Sequence, residues 1–249
     1  MFDVEVSSIE SFRNLIKALS VIVERGNFLV DESQIKLIAM DPSHVAMVDF
    51  EIPKEFFKSY LLDEETRLTL NINEFLKFLD RVEKDEQLEI KLDKENMLLI
   101  QCKRGGHTRR FLIPVLEPID EEVPSPNIFF KSRARILTQS LRKAIRDASL
   151  VSEHVKLEIT NSGVKISAAG DMGSASSLWE KGADDIIELK SEEDSNATFT
   201  LSYLQDIVNA ASISSEVAQL ELSTDMPIKM SFELPQGKLV YYLAPCIGV

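Results

Sequence analysis

The chain is written twice. "SQIKLIAMD" (33–41) is answered by "SGVKISAAGD" (162–171), "RLTLNINEFLKFL" (67–79) by "TFTLSYLQDIV" (198–208), "QLEIKL" (87–92) by "QLELST" (219–224), and "RRFLIP" (109–114) by "VYYLAP" (240–245), which sets Pro114 opposite Pro245. The offset stays between 129 and 132 residues and the order is kept, so the 249 residues divide into two copies of one domain. The seam has linker chemistry. "LEPIDEEVPSPN" (116–127) combines Pro118, Pro124 and Pro126 with Asp120, Glu121 and Glu122, which favours an extended path and cannot continue a helix or a central strand. The expected boundaries are 1–116 for the first domain, 117–127 for the connector and 128–249 for the second domain. The connector reads equally as a solvated spacer and as exposed backbone for a partner.

Each copy has the same order of elements. "SIESFRNLIKALSVIV" (8–23) places Phe12, Leu15, Ile16, Leu19 and Val23 on one helical face, with Ser8 or Ser11 as N-cap. Short β-branched runs follow ("NFLVD", "IKLIAM", "VAMVDFEI"), then a second helix over 73–83 and three further strands. Helices near 137–151 and 202–211 repeat the plan. The fold class is therefore α+β: two duplicated β-rich domains, each with two helices and eight or nine strands.

The net charge is −13, spread as −4 over residues 1–150 (22 bases, 26 acids) and −9 over 151–249 (6 bases, 15 acids). Bulk charge of this sign repels nucleic acid, so any such binding must come from locally concentrated bases. Three helices offer them. Arg13 and Lys17 lie opposite the apolar stripe of the first helix, Lys77, Arg81 and Lys84 follow at i, i+4 and i+7 on the second, and Arg142, Lys143 and Arg146 share the polar face of the third. The fourth helix carries no base and shows Ser202, Gln205, Asp206 and Asn209. Such faces read either as ordinary solvated surface or, if the helices share one side, as a positive lining that holds a polyanion without reading it.

Catalytic and metal patterns are weak. Asp41, His44 and Asp49 could be taken as an acid/base cluster, but Asp41-Pro42-Ser43 is turn chemistry and Val45, Met47 and Asp49 alternate as on a strand. Walker, GxGxxG, HExxH and GxSxG patterns are missing, and His107 and His154 have no second ligand at local spacing. Gly105-Gly106 between two strand-like runs reads as a hairpin turn. Cys102 and Cys246 read as free thiols. No apolar run nears the roughly 20 residues of a membrane span, and "MFDVEVSSIE" lacks the basic start and apolar stretch of a signal peptide. A non-enzymatic intracellular protein without cofactor or metal is expected.

"AMDPSHVAMVDF" (39–50), the acidic proline-rich connector, "RDASLVS" (146–152) and "YYLAP" (241–245) together resemble the sliding clamps of archaeal and eukaryotic replication, the proliferating cell nuclear antigen family, over essentially the whole chain. "GGHTRRFLIPVLE" reads as archaeal. The resemblance implies the DNA-clamp fold in a closed trimeric ring, with helices lining a hole around double-stranded DNA and sheets outside. Such a ring raises polymerase processivity by tethering and catalyses nothing. By position, Arg13, Lys77, Lys143 and Arg146 match channel bases of the family; Lys17, Arg81, Lys84 and Arg142 are added from the helical faces. Partners implied are DNA polymerase, clamp loader, flap endonuclease and DNA ligase. They dock through short apolar and aromatic motifs at Met40, His44, Val45, Met47, Pro124, Ile128, Pro227, Ala244 and Pro245. The alternative reading of Met40 and Met47 is plain core packing.

Subunits in the family join by edge strands, here "HTRRFLIPV" (107–115) and "GSASSLWEK" (173–181), with Arg109 and Arg110 placed for ion pairs and Trp179 as an anchor. Two departures from the family pattern stand out: Cys246 replaces the usual base after "LAP", and Asn209 replaces the usual base of the fourth helix. Homotrimer and heterotrimer with paralogues both remain open. Competing readings are a checkpoint-type clamp subunit, an adaptor that never encircles DNA, and a hydrolase centred on Asp41 and His44.

Overall fold

The computed structural model describes residues 1–93, 95–119, 123–124 and 126–247; Asp120, Glu121 and Glu122 of the connector lie outside the described residues. In the first repeat the elements are β1 (Phe2–Val6), α1 (Ile9–Ser20), β2 (Arg25–Val30), β3 (Gln34–Met40), β4 (Ala46–Pro53), β5 (Phe57–Leu62), β6 (Thr66–Asn71), α2 (Ile72–Leu79), β7 (Gln87–Leu92), β8 (Met97–Arg104) and β9 (His107–Pro114). The second repeat has β10 (Ser132–Leu137), α3 (Thr138–Ala148), β11 (His154–Thr160), β12 (Gly163–Gly170), β13 (Gly173–Glu180), β14 (Ile186–Ser191), β15 (Ser195–Thr200), α4 (Leu201–Ala211), β16 (Val217–Leu222), β17 (Ile228–Phe232) and β18 (Lys238–Leu243). Strand order repeats with the elements. The first repeat orders β5-β1-β7-β8-β9 and β4-β3-β2-β6, the second β14-β10-β16-β17-β18 and β13-β12-β11-β15.

Register refines the duplication. One row runs Val4–Ile90–Ile100–Phe111 and its counterpart runs Ala134–Leu220–Met230–Tyr241, a constant offset of 130. Pro114 therefore corresponds to Ala244 rather than to Pro245. The β2–β6 and β11–β15 ladders give 129, placing Arg25 with His154 and Asn71 with Thr200. The sequence pairings at 131 and 132 in β6 and β7 slip by two residues, which a strand pattern of period two does not resist.

Helix starts follow the sequence, but three ends fall short: α1 stops at Ser20 and α3 at Ala148, against the expected 23 and 151, and α2 stops at Leu79. Ser8 caps α1 by accepting from Ser11 N, and Asn71 caps α2 by accepting from Glu74 N at 2.9 Å. Phe12, Leu15, Ile16 and Leu19 are buried as expected, each such side chain contributing roughly 1.5–3 kcal/mol. Phe12 meets Phe56, Phe57 and Phe75 in tilted and edge-on contacts. The second helix stops at Leu79, with Asp80 as C-cap, not at residue 83. Val82 is buried and its N–H turns back to Leu79 O, bending the chain toward β7.

The chain forms two compact units. The first comprises Met1–Asp41, Val48–Pro124 and Pro235–Lys238, and the second Pro42–Met47, Ser125–Leu234 and Leu239–Val249. Each holds one pair of packed helices, α1 with α2 and α3 with α4.

Candidate nucleic-acid interface

In the first unit Arg13 is not a free cation. Its Nε donates to Leu79 O at 3.0 Å, its Nη2 donates to Val82 O, and Asp80 lies 3.7 Å away. These carbonyls lie at and just beyond the end of α2, where Leu79 O also accepts from Val82 N, so Arg13 clamps α1 to that terminus. The second unit repeats the device. Arg142 stands 129 residues after Arg13, Asn209 stands 129 after Asp80, and Arg142 Nε donates to Asn209 Oδ1 at 2.8 Å. The neutral Asn209 of the fourth helix is thus where α3 places its own guanidinium. Replacing Arg13 by Ala should cost roughly 2 kcal/mol through lost charged hydrogen bonds. Chemical denaturation reads that loss, and the salt dependence of DNA binding should stay unchanged.

Five of the expected bases are exposed and stand outside ion pairs among the described residues: Lys17, Arg81, Lys84, Lys143 and Arg146. Lys17 and Arg146 occupy equivalent places on α1 and α3. Arg142, Lys143 and Arg146 line one open depression with Gln139, Asp147, Ser149, Leu150 and Gln205. Lys77 pairs with Glu74 at 2.6 Å, both well exposed, a contact that costs little to break. At the place equivalent to Lys77, α4 carries the exposed Asp206.

Arg81 and Lys84 are not on a helix, which corrects the expected continuous stripe. They sit in the turn 80–86, which β8 and β9 hold by arginines. Arg104 pairs with Glu83 at 2.6 Å and Asp85 at 3.0 Å; Arg109 donates to Arg81 O at 3.0 Å and pairs with Glu86. Burial alone would raise the Glu86 carboxyl, but the Glu83 N–H and the Arg109 guanidinium outweigh it and hold it below its ordinary value.

The expected junction residues are likewise occupied within the chain. Arg109 is engaged by Glu86, Arg110 Nε donates to Gln101 Oε1 at 2.7 Å, and Trp179 Nε1 donates to Asp185 Oδ2 at 3.2 Å. Their strands do lie at sheet edges: β9 pairs β8, and β13 pairs β12. What these edges present to solvent is leucine, with Leu112 56% and Leu178 59% exposed. Sequence reasoning missed both, although alternation with the inward Phe111 and Ile113 would have pointed Leu112 outward.

The expected partner-motif residues divide between the units. Met40 and Pro124 belong to the first and the rest to the second. Within the second unit Ala244 N donates to Val45 O at 2.9 Å, so "PSHVAM" is tied to the end of β18. His44 is exposed with φ 57°. Val45, Ile128, Pro227, Ala244 and Pro245 are half-buried, whereas Met47, at 3% exposure, is core and offers no surface. Phe129, Met226 and Ile247, also in the second unit, are exposed apolar side chains that the sequence reading did not single out. Phe129 O and Met226 N both bond to Ser223. Asp41 is buried, and no metal-holding cluster of His, Cys, Asp and Glu occurs among the described residues.

Residues 1–109 match the family description "Proliferating cell nuclear antigen, N-terminal domain" and residues 125–247 match its C-terminal counterpart. DNA polymerase sliding clamp 1 of Pyrobaculum aerophilum is 33% identical over 95% of this chain and 94% of that protein. The DNA polymerase sliding clamps of Thermofilum pendens (32%, covering 94% of each chain) and Methanococcus vannielii (33%, 95% of each) are similar throughout. The crystal structure of PCNA from Thermococcus kodakaraensis shares the fold, with TM-score 0.92 over 99% of this chain and 100% of that one at 22% identity. With both halves matched in order and relatives aligned nearly end to end, the chain belongs to the proliferating cell nuclear antigen family.

Proposed function

We propose that this chain is a DNA polymerase processivity factor, a clamp subunit that closes with two others around duplex DNA and tethers enzymes there. The observation that carries the reading is the near end-to-end match to proteins named DNA polymerase sliding clamp. Uncommitted cations on and beside the helices of so acidic a protein support it: Lys17, Arg81, Lys84, Lys143 and Arg146 suit phosphate contacts that fix no base sequence. Ring closure would use the β9 and β13 edges. Polymerase, clamp loader, flap endonuclease and DNA ligase would dock through short apolar and aromatic motifs around Val45, Ile128, Pro227, Ala244 and Pro245, in a cytoplasm without a nuclear compartment. The clamp acts through effective concentration, not through chemistry of its own. On nicked circular DNA the loaded protein should persist through gel filtration, and linearising the circle should release it. Equal persistence on both topologies would overturn encirclement.

A further inference from the structure

The two helix pairs share one plan but carry opposite charge at one place. On α4, Leu204, Ile207, Val208 and Ala211 are buried, which leaves Ser202, Asp206 and Asn209, at i, i+4 and i+7, along the opposite side. Asp206 stands in the middle of that side and is exposed. Its counterpart on α2, 129 residues earlier, is the exposed Lys77. None of the structural uses of a helix aspartate applies to Asp206. It is the sixth residue of the helix, too far along to serve the N-terminal end, and it is neither buried nor paired with a base among the described residues.

The neighbouring face of α3 is positive. Arg142, Lys143 and Arg146 line the open depression described above, to which α4 contributes the neutral Gln205, the chain neighbour of Asp206. Adjacent Cα atoms lie about 3.8 Å apart, so the carboxylate stands within a Debye length of the place where those bases would gather phosphate. Residues 201–211 contain no base to mask it, and the Arg142 guanidinium turns instead to Asn209 Oδ1 at 2.8 Å. A phosphate drawn to the depression by α3 is therefore opposed from α4.

We propose that Asp206 is a repulsive element of the nucleic-acid interface: it keeps a duplex off α4, so that the second unit contacts phosphate through α3 alone, and it holds affinity below what the helix pair could reach. The inference rests on the phosphate-contact reading above. A protein that moves along DNA must break and re-form its phosphate contacts at every step, so a carboxylate beside the bases lowers the hold that each step has to overcome.

The test uses the full chain with Asp206→Asn and with Asp206→Lys, the first copy's residue at this place. The control is Glu192→Gln, which takes the same charge from the total. Glu192 is also exposed, but it sits in the bend before β15, at the opposite end of that strand from α4. The probe is a fluorescein-labelled duplex of mixed sequence, followed by anisotropy between about 50 and 200 mM salt. Asp206→Asn should bind roughly two- to threefold more tightly at the low-salt end, where a surface charge is least screened, and the gain should shrink as salt rises. Asp206→Lys should bind more tightly still and steepen the slope of log affinity against log salt by about 0.9 for each subunit that engages the duplex. Glu192→Gln should match the parent. Equal tightening by Glu192→Gln would assign the effect to net charge and overturn the local role, as would an Asp206→Asn affinity equal to the parent's. A parent chain with no salt-dependent binding to the duplex would instead overturn the phosphate-contact reading.

Discussion

Replacing Lys17, Arg81, Lys143 and Arg146 together by Gln should flatten the salt dependence of DNA association. Every phosphate that a side chain ceases to neutralise takes about 0.9 from the slope of log affinity against log salt, so the fourfold variant should be shallower by roughly 3 to 4 for each subunit that engages the duplex. These four side chains are exposed, and none makes an ion pair among the described residues, so their removal leaves no partner stranded. The paired control is Arg13→Gln. That residue already commits its guanidinium to Leu79 O, Val82 O and Asp80, so the slope should hold while the denaturation midpoint falls. Fluorescence titrations between about 50 and 200 mM salt span the range where the effect is large. If the fourfold variant keeps the parent slope, the helices and the 80–86 turn face something other than phosphate.

Those two variants also mark the limit of what the sequence discloses. Helical periodicity places Arg13 and Lys17 correctly on the polar side of α1, yet it cannot say which one meets the end of a neighbouring helix. That depends on α1–α2 packing, and only the structure separates the clamp from the free base. Arg81 and Lys84 read as part of α2 because "NEFLKFLDRVEKDE" contains no Gly or Pro to stop it. The helix ends at Leu79 because Val82 must be buried and the chain must turn into β7, both long-range demands. The duplication is legible because strand alternation survives divergence. Its exact register is not, since a shift of two residues leaves every side chain on the same face. Met47 stays undecided between pocket and core in the sequence because β4 is buried on both faces from Ala46 to Phe50, where alternation carries no signal.

Charging either exposed leucine should open the proposed ring, and the way it opens distinguishes ring from dimer. Leu112 on β9 and Leu178 on β13 are each more than half exposed in the single chain, so Glu at either place should cost the isolated subunit little. In a head-to-tail assembly the same residue would be buried at every junction, where an unpaired carboxylate is strongly unfavourable. Leu112→Glu alone and Leu178→Glu alone should therefore both sediment as monomers and lose retention on circular DNA. Mixing the two variants gives a sharper result. The first retains an intact β13 and the second an intact β9, so one good junction can form between them and no more. A heterologous interface then yields dimers that cannot close, whereas a two-fold symmetric interface using either edge alone would let one of the variants assemble with itself. Sedimentation velocity reads the difference directly. Closed trimers from either single variant would remove β9 and β13 from the junction, and a mixture that stays monomeric would show that the two edges do not meet.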